Sequence, residues 1–500
     1  MANRGIAAAA TWVTIAITAI VLARGLPADT FYTGDPGVKL VAARNAITTP
    51  SRPLEIPLPS VGGTLLPYLD PFYALHDDHA HAVTSELFPL ASAPFIAGMG
   101  VRGAYVLPAL GFLLALAAAA WLGVLLDAQR NPAGIMLTAL LGTPLLFYGL
   151  EFWEHAPAAG ISALAICLFV KSSNRAGIEG RTLADIEATA AGVLFGVAFL
   201  LRPEAAWLAV AVVAGARWLP ASSVRVAGLT IVGIGLAILP LAAYALLHFG
   251  SVLTPHFAGN PALWGAGWLG RRFAVLSEWI LSIGPSNIFI VAPAVLVAFA
   301  LPWQGGGRRG QAFLIAVACL TAVLIFLSAP NGGGGQWGPR YLLPAAVPLA
   351  VLATDVLQAV TARWRVGVWI AVALSLAGAW IQRTSYERLR GTKQTYQRVL
   401  SLVETTAPPG GYVVTDLWWL DQIAAASEDR VFLYAPDAAT GSVIVHELDA
   451  AGVEEVTLVA SGEESGNQTG WLEGTCYVAG ERREIAERAL AGTRLDRRCD

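Results

Sequence analysis

The sequence predicts a polytopic α-helical membrane protein of about eleven transmembrane helices followed by a small C-terminal α/β domain, and three observations carry that prediction. First, 56% of the 500 residues are hydrophobic and only 13% are charged, with a mean hydropathy of +0.59. Second, apolar runs fill most of residues 6–382 and carry almost no ionised group in their interiors. Third, beyond about residue 393 the pattern changes to short β-prone runs alternating with helical stretches.

A helix needs about 20 apolar residues to span a bilayer. The runs that meet or approach that length are 6–24, 103–126, 133–150, 156–171, 185–201, 204–219, 226–247, 286–302, 311–328, 341–359 and 367–382. The first follows a short, weakly basic segment without a small-residue cleavage site, which reads as an uncleaved anchor. Loops holding Arg4, Arg130, Lys171, Arg175, Arg181, Arg217, Arg225, Arg308, Arg309, Arg363 and Arg365 lie on the cytoplasmic side by the positive-inside rule. An odd number of spans then places loops 25–102, 248–285 and 329–340, and the C-terminus, outside. The implied location is the cytoplasmic membrane of a bacterium, with the site and the C-terminal domain facing outward. A net charge of −3 gives no sign of nucleic-acid binding.

Residues 1–382 form the membrane domain, 383–392 a polar connector and 393–500 the α/β domain. Strands are expected at 411–416, 430–434, 456–460 and 475–479, and helices at 395–406, 417–427 and 439–451, in a largely parallel sheet. Neither GxGxxG nor a Walker pattern is present, so nucleotide binding is unsupported. Asp416, at a strand end, reads as the cap of the following helix. The glycine run at 332–335 reads as loop, because no strand–helix context surrounds it. Cys167 and Cys319 fall in spans as apolar filler, whereas Cys476 and Cys499 lie where a disulfide is chemically allowed.

The functional signal is the sorting of charge. Asp35, Asp77, Asp78, Glu151, Glu154 and Glu204 all fall on the side opposite the basic loops. Asp35 lies in a turn bracketed by Gly34, Pro36 and Gly37. His76, Asp77, Asp78, His79 and His81 crowd one stretch, a set able to hold a divalent cation: Zn by imidazole, Mg or Mn by carboxylate. Asp77, Asp78 and His79 are the candidate ligands; the bland reading is a solvated loop. Glu151-Phe152-Trp153-Glu154-His155 ends the third span at interfacial depth, where two carboxylates and an imidazole are costly unless paired or functional. Arg202 either pairs with Glu204 or meets a phosphate. Arg340 opens the tenth span, where the helix dipole gives a cation no benefit, so an anionic partner is expected.

Together these stretches resemble the GT-C superfamily of glycosyltransferases, near the bacterial protein O-mannosyltransferases and aminoarabinose transferases. The resemblance is carried by Tyr32-Thr33-Gly34-Asp35, Phe88-Pro89-Leu90 with Gly100 and Gly103, Phe152–His155, Leu201-Arg202-Pro203-Glu204, Phe249-Gly250-Ser251, and Gly338–Pro344 with Pro348, running through most of residues 1–360. It implies a polyprenyl-phosphate sugar donor and a protein, lipid or glycan acceptor. It makes Asp35 the carboxylate of the first outer loop that serves as catalytic base or helps bind a metal; Glu154 and His155, picked out by their depth, complete the candidate catalytic set. It assigns Arg340 and Arg202 to the donor phosphate. The family often carries a second acid next to the first; here Pro36 stands in that place, and Asp77 or Asp78 would supply it. The expected chemistry is inverting transfer with a carboxylate as general base and no cofactor beyond a divalent metal. Competing readings are a lipid-linked glycan polymerase or ligase, and a transporter or flippase, which would place ionisable groups within its spans.

Overall fold

The computed structural model describes all residues except 1, 77, 176–180, 220–223, 253, 255–266, 300–307, 334, 335, 427–429, 462–467, 486–489 and 500. The chain divides into two compact units. One comprises 1–25, 105–254 and 260–388; the other comprises 26–104, 255–259 and 389–500.

The first unit is helical. Across the whole chain, eight described helices are long and apolar enough to cross a membrane: Arg4–Arg24, Leu87–Leu126, His155–Arg175, Arg181–Leu201, Val224–Phe249, Arg309–Ser328, Arg340–Arg363 and Arg365–Thr406. The expected spans at 133–150 and 204–219 form shorter helices, Pro132–Gly142 and Ala205–Trp218. The expected span at 286–302 is broken in its described part into Ile288–Val291, Pro293–Leu296 and Val297–Phe299, because Pro293 cannot continue the helix before it. Helix pairs approach closely at small residues. A Cβ on Gly160 would run into the backbone carbonyl of Gly111, and one on Gly192 into that of Thr230. Without a hydrophobic drive between helices in lipid, such close backbone contact is what holds them.

Ionised groups near the basic loops are paired. Arg130 donates from Nε and Nη2 to the two oxygens of Asp355, at 2.8 and 2.6 Å. Glu187 receives Lys171 at 2.9 Å and Arg175 at 3.0 Å. Asp185 receives Arg225.

The second unit contains a five-stranded sheet in the order Val431–Tyr434, Tyr412–Thr415, Glu455–Ser461, Leu490–Arg497, Tyr477–Ile485. The first three strands are parallel, as expected. The last two are antiparallel, so the sheet is mixed. The strand Leu490–Arg497 was not anticipated, because its arginines and aspartate hide the alternation of an edge pair. The helix Leu420–Ala424 starts after Trp419, three residues beyond Asp416, and the Trp419 side chain makes no cap hydrogen bond. Asp437 caps Ala438–Ala450, accepting from Thr440 N. Residues 383–392, read as a connector, are helical within Arg365–Thr406. Cys476 and Cys499 form a disulfide. Cys167 is buried and Cys319 exposed, both reduced.

The long segment after the first span folds into this second unit. It contributes the helix Asp35–Thr48 and a small antiparallel sheet in which Tyr73–His76 pairs with His79–Ala82 and the latter with Ile56–Pro57.

Candidate active site

In the helical unit the candidate side chains gather at helix ends. Glu154 precedes His155–Arg175, Arg202 and Glu204 join Arg181–Leu201 to Ala205–Gly215, and Arg340 starts the short turn Arg340–Leu342 ahead of Leu343–Arg363. Helix ends suit this role because their backbone groups are left without intrahelical partners and their side chains can turn inward. Gly338 makes the last approach possible. Its φ of +77° is a left-handed conformation, and a side chain there would press on Pro144 and Val291.

Glu154 is 2% exposed and His155 3%, so the interfacial acids are buried. Arg202 donates from Nη1 to Glu154 Oε1 at 3.1 Å and from Nε to Glu204 Oε2 at 3.1 Å, with Nη2 on Glu204 Oε1. Arg202 therefore takes the structural pairing with Glu204 and adds Glu154 to it. This explains how Glu154 is accommodated at such burial. Tyr341, 5% exposed, joins the two arginines: the guanidinium of Arg202 lies 5.8 Å from its ring centroid and that of Arg340 5.0 Å. Arg340 Nη2 donates to the Tyr341 hydroxyl at 3.1 Å, which in turn donates to Asn331 Oδ1 at 3.1 Å. His155 stacks on Tyr148 at 4.9 Å, with Trp153 edge-on at 5.7 Å, and Tyr148 Oη donates to the carbonyl of Trp337 at 2.9 Å. The structure thus brings Glu154, His155, Arg202 and Arg340 into one aromatic-walled cluster. Sequence reading missed Tyr148, Asn331 and Tyr341. Only the adjacency of Tyr341 to Arg340 signalled any of them.

In the second unit Asp35 is the first residue of a helix rather than a turn residue, with Pro36 in the opening turn. A carboxylate there is favoured by the helix dipole, and proline fits because no amide is required of it. Asp35 Oδ2 accepts from Lys39 Nζ at 2.9 Å; the Lys39 side chain is 1% exposed and that of Asp35 20%. The i,i+4 spacing of Asp35 and Lys39 behind Gly34 was the readable signal for this helix.

Asp77 of the expected metal set lies outside the described residues, as do Gly334 and Gly335 of the glycine run. Asp78 and His79 sit at the hairpin end where His76 pairs with His79. The His76 and His81 rings are 6.3 Å apart. His81 is buried, and burial lowers its pKa from the usual imidazole value. No group of three or more His, Cys, Asp or Glu able to hold a metal ion occurs among the described residues.

No protein-family model and no curated protein matches the sequence. Solved structures do. ArnT from Cupriavidus metallidurans bound to undecaprenyl phosphate is similar at TM-score 0.59 and 13% identity, covering 97% of this chain and 98% of that one. The chain shares the fold of that structure. An oligosaccharyltransferase from Archaeoglobus fulgidus, in complex with Zn and sulfate, matches at TM-score 0.53 and 15% identity over 96% of this chain and 72% of that one. AglB from the same organism, with an inhibitory peptide and a dolichol-phosphate, matches at 0.53 and 13% over 96% and 74%. The likeness of fold extends over nearly the whole chain, the second unit included.

Proposed function

We propose that the protein is a membrane glycosyltransferase that moves a sugar from a polyprenyl-phosphate donor to an acceptor hydroxyl on a protein, lipid or glycan. The GT-C fold supports the reaction class. The observation that carries the donor is Arg340, half-buried against the Tyr341 ring and hydroxyl at a helix end, where a phosphate gains from a planar guanidinium.

In this reading Asp35 is the general base. Its carboxylate takes the proton of the acceptor hydroxyl as that oxygen bonds to the anomeric carbon. The bond from that carbon to the phosphate oxygen breaks, its electron pair stays on the polyprenyl phosphate, and the anomeric configuration inverts. Arg340 stabilises the charge growing on the leaving phosphate. Arg202, neutralised by Glu154 and Glu204, holds Glu154 and the Tyr341 ring in place, with His155 fixed by Tyr148 and Trp153. A divalent metal on the Asp77–His79 turn is a separate proposal, tested by chelation: loss of activity under EDTA and its return with Mn or Zn would bring that turn into the site. The active face is proposed to lie opposite the basic loops, at the outer surface of a bacterial inner membrane.

The test is transfer or hydrolysis of a radiolabelled undecaprenyl-phosphate sugar by the purified protein in nanodiscs. Asp35→Asn should lower turnover by about 10²–10⁴-fold with KM for the donor preserved. Equal rates for wild type and Asp35→Asn would remove Asp35 from the reaction. Movement of the intact sugar phosphate across the bilayer without bond cleavage would favour a transporter.

A further inference from the structure

Asp35 begins its helix on a surface that leaves no room for side chains around it. A Cβ on Gly34 would collide with the side-chain amide of Gln422, and a Cβ on Gly37 with the backbone carbonyl of the same residue. Gly34 has φ −67°, an ordinary helical value, so space alone demands glycine there. Gln422, on Leu420–Ala424, is 1% exposed. Its Nε2 donates to Asp70 Oδ1 at 2.9 Å, and its Oε1, turned toward Gly34, has no hydrogen-bond partner among the described residues. Asp70 is 2% exposed and is itself fixed by the Phe72 amide, which donates to Oδ1 at 2.7 Å. Nothing in the proposed reaction uses this buried amide–carboxyl pair, yet it bears on the two residues that flank Asp35 and Pro36.

We infer that Gln422, clamped by Asp70, is the positioning residue that sets the placement of Asp35. The inference rests on the reading of Asp35 as the base. Gln422 acts on the backbone at 34 and 37 rather than on the carboxylate, whose partner is Lys39. The leverage is large because a displacement of about 1 Å costs on the order of 10²-fold in rate for a group that must meet its proton at hydrogen-bonding distance. The groups facing Asp70 are Asp421 on the helix of Gln422, Tyr73 on Tyr73–His76 and Tyr434 on Val431–Tyr434. Burial in this setting lifts the Asp70 carboxyl to about 6.

The experiment uses the full chain in nanodiscs with the labelled undecaprenyl-phosphate sugar. Gln422→Ala should lower kcat about 10–100-fold while KM for the donor stays within about twofold. Gln422→Glu sets a second carboxyl against Asp70, so the two cannot both ionise at close range. Its activity should fall as pH rises above about 6 and recover below it, more steeply than in wild type, where Asp70 and Asp421 alone titrate in that range. Gly34→Ala, pressing on Gln422 from the opposite side, should show the same kcat loss and add little to Gln422→Ala. Wild-type kcat in Gln422→Ala, with Asp35→Asn inactive, overturns the positioning role and leaves the base intact. Wild-type activity in Asp35→Asn overturns the base itself. If Gln422→Ala fails to fold, the pH profile of Gln422→Glu decides, and a profile equal to wild type overturns the inference.

Discussion

Arg202 and Arg340 sit over one tyrosine ring and are not equivalent. Arg202 is the cation between the buried Glu154 and the half-buried Glu204, so removing it leaves charges without their partner, a loss of about 3–5 kcal/mol where such a pair is buried. Arg340 lies against the Tyr341 ring and donates to its hydroxyl. Arg202→Ala should therefore appear first as lost expression and a lower melting temperature of the purified protein. Arg340→Ala should keep the melting temperature and lower turnover by about 10²–10³-fold, with Arg340→Lys restoring little because ammonium lacks the planar fork. Equal thermal losses in both variants would place Arg340 in the same structural role as Arg202. At this scale the sequence revealed which residues to inspect. It did not reveal that Arg202 is already engaged, since residues 154 and 202 meet only through folding.

Among the elements, Leu420–Ala424 carries the most consequence for its length. Its Gln422 packs under Asp35, and its Asp421 lies against Asp70 and lines a cavity of about 390 Å³ with Arg44, Tyr73 and Arg430. Burial, then the Asp70 charge, raises Asp421 to about 7, and burial raises Asp70 to about 6. Both carboxyls bind protons more tightly when folded than when unfolded. Their stabilisation is complete below about pH 4 and is lost as pH rises through the interval from about 6 to about 7. His81, whose imidazole burial holds low, acts in the opposite sense, losing stability as pH falls. The melting temperature of Asp421→Asn should thus vary less between about pH 5 and about pH 8 than that of wild type, with the gain of the variant largest at the alkaline end. Identical slopes in differential scanning fluorimetry would show that Asp421 ionises as freely in the fold as outside it. None of this was legible beforehand. Asp70 and Gln422 are far apart in sequence, and neither sits in a motif.

For the molecule as a whole, the expected sorting of charge meets a qualification. Asp185, Glu187 and Asp355 lie among the basic loops, each held by Arg or Lys, so the cations there neutralise acids. Orientation is testable in intact cells lacking Cys319. A membrane-impermeant maleimide should label Thr64→Cys, an exposed position of the 26–104 segment, and spare Arg363→Cys, exposed beside the basic loops. The reverse pattern would invert the topology.

The sequence by itself determined the membrane class, most of the spans, the parallel half of the sheet and the stretches that resemble GT-C enzymes. Hydrophobic length and period are local properties of a chain, and lipid enforces them strictly. Tertiary structure decided that the 26–104 segment folds with the C-terminal strands, that the last two strands run antiparallel, and that Asp35 opens a helix above Gln422. It also decided that Tyr341 joins Arg202 to Arg340. Each of these is a pairing between distant residues, and pairing energies appear only after the chain has closed the intervening loops.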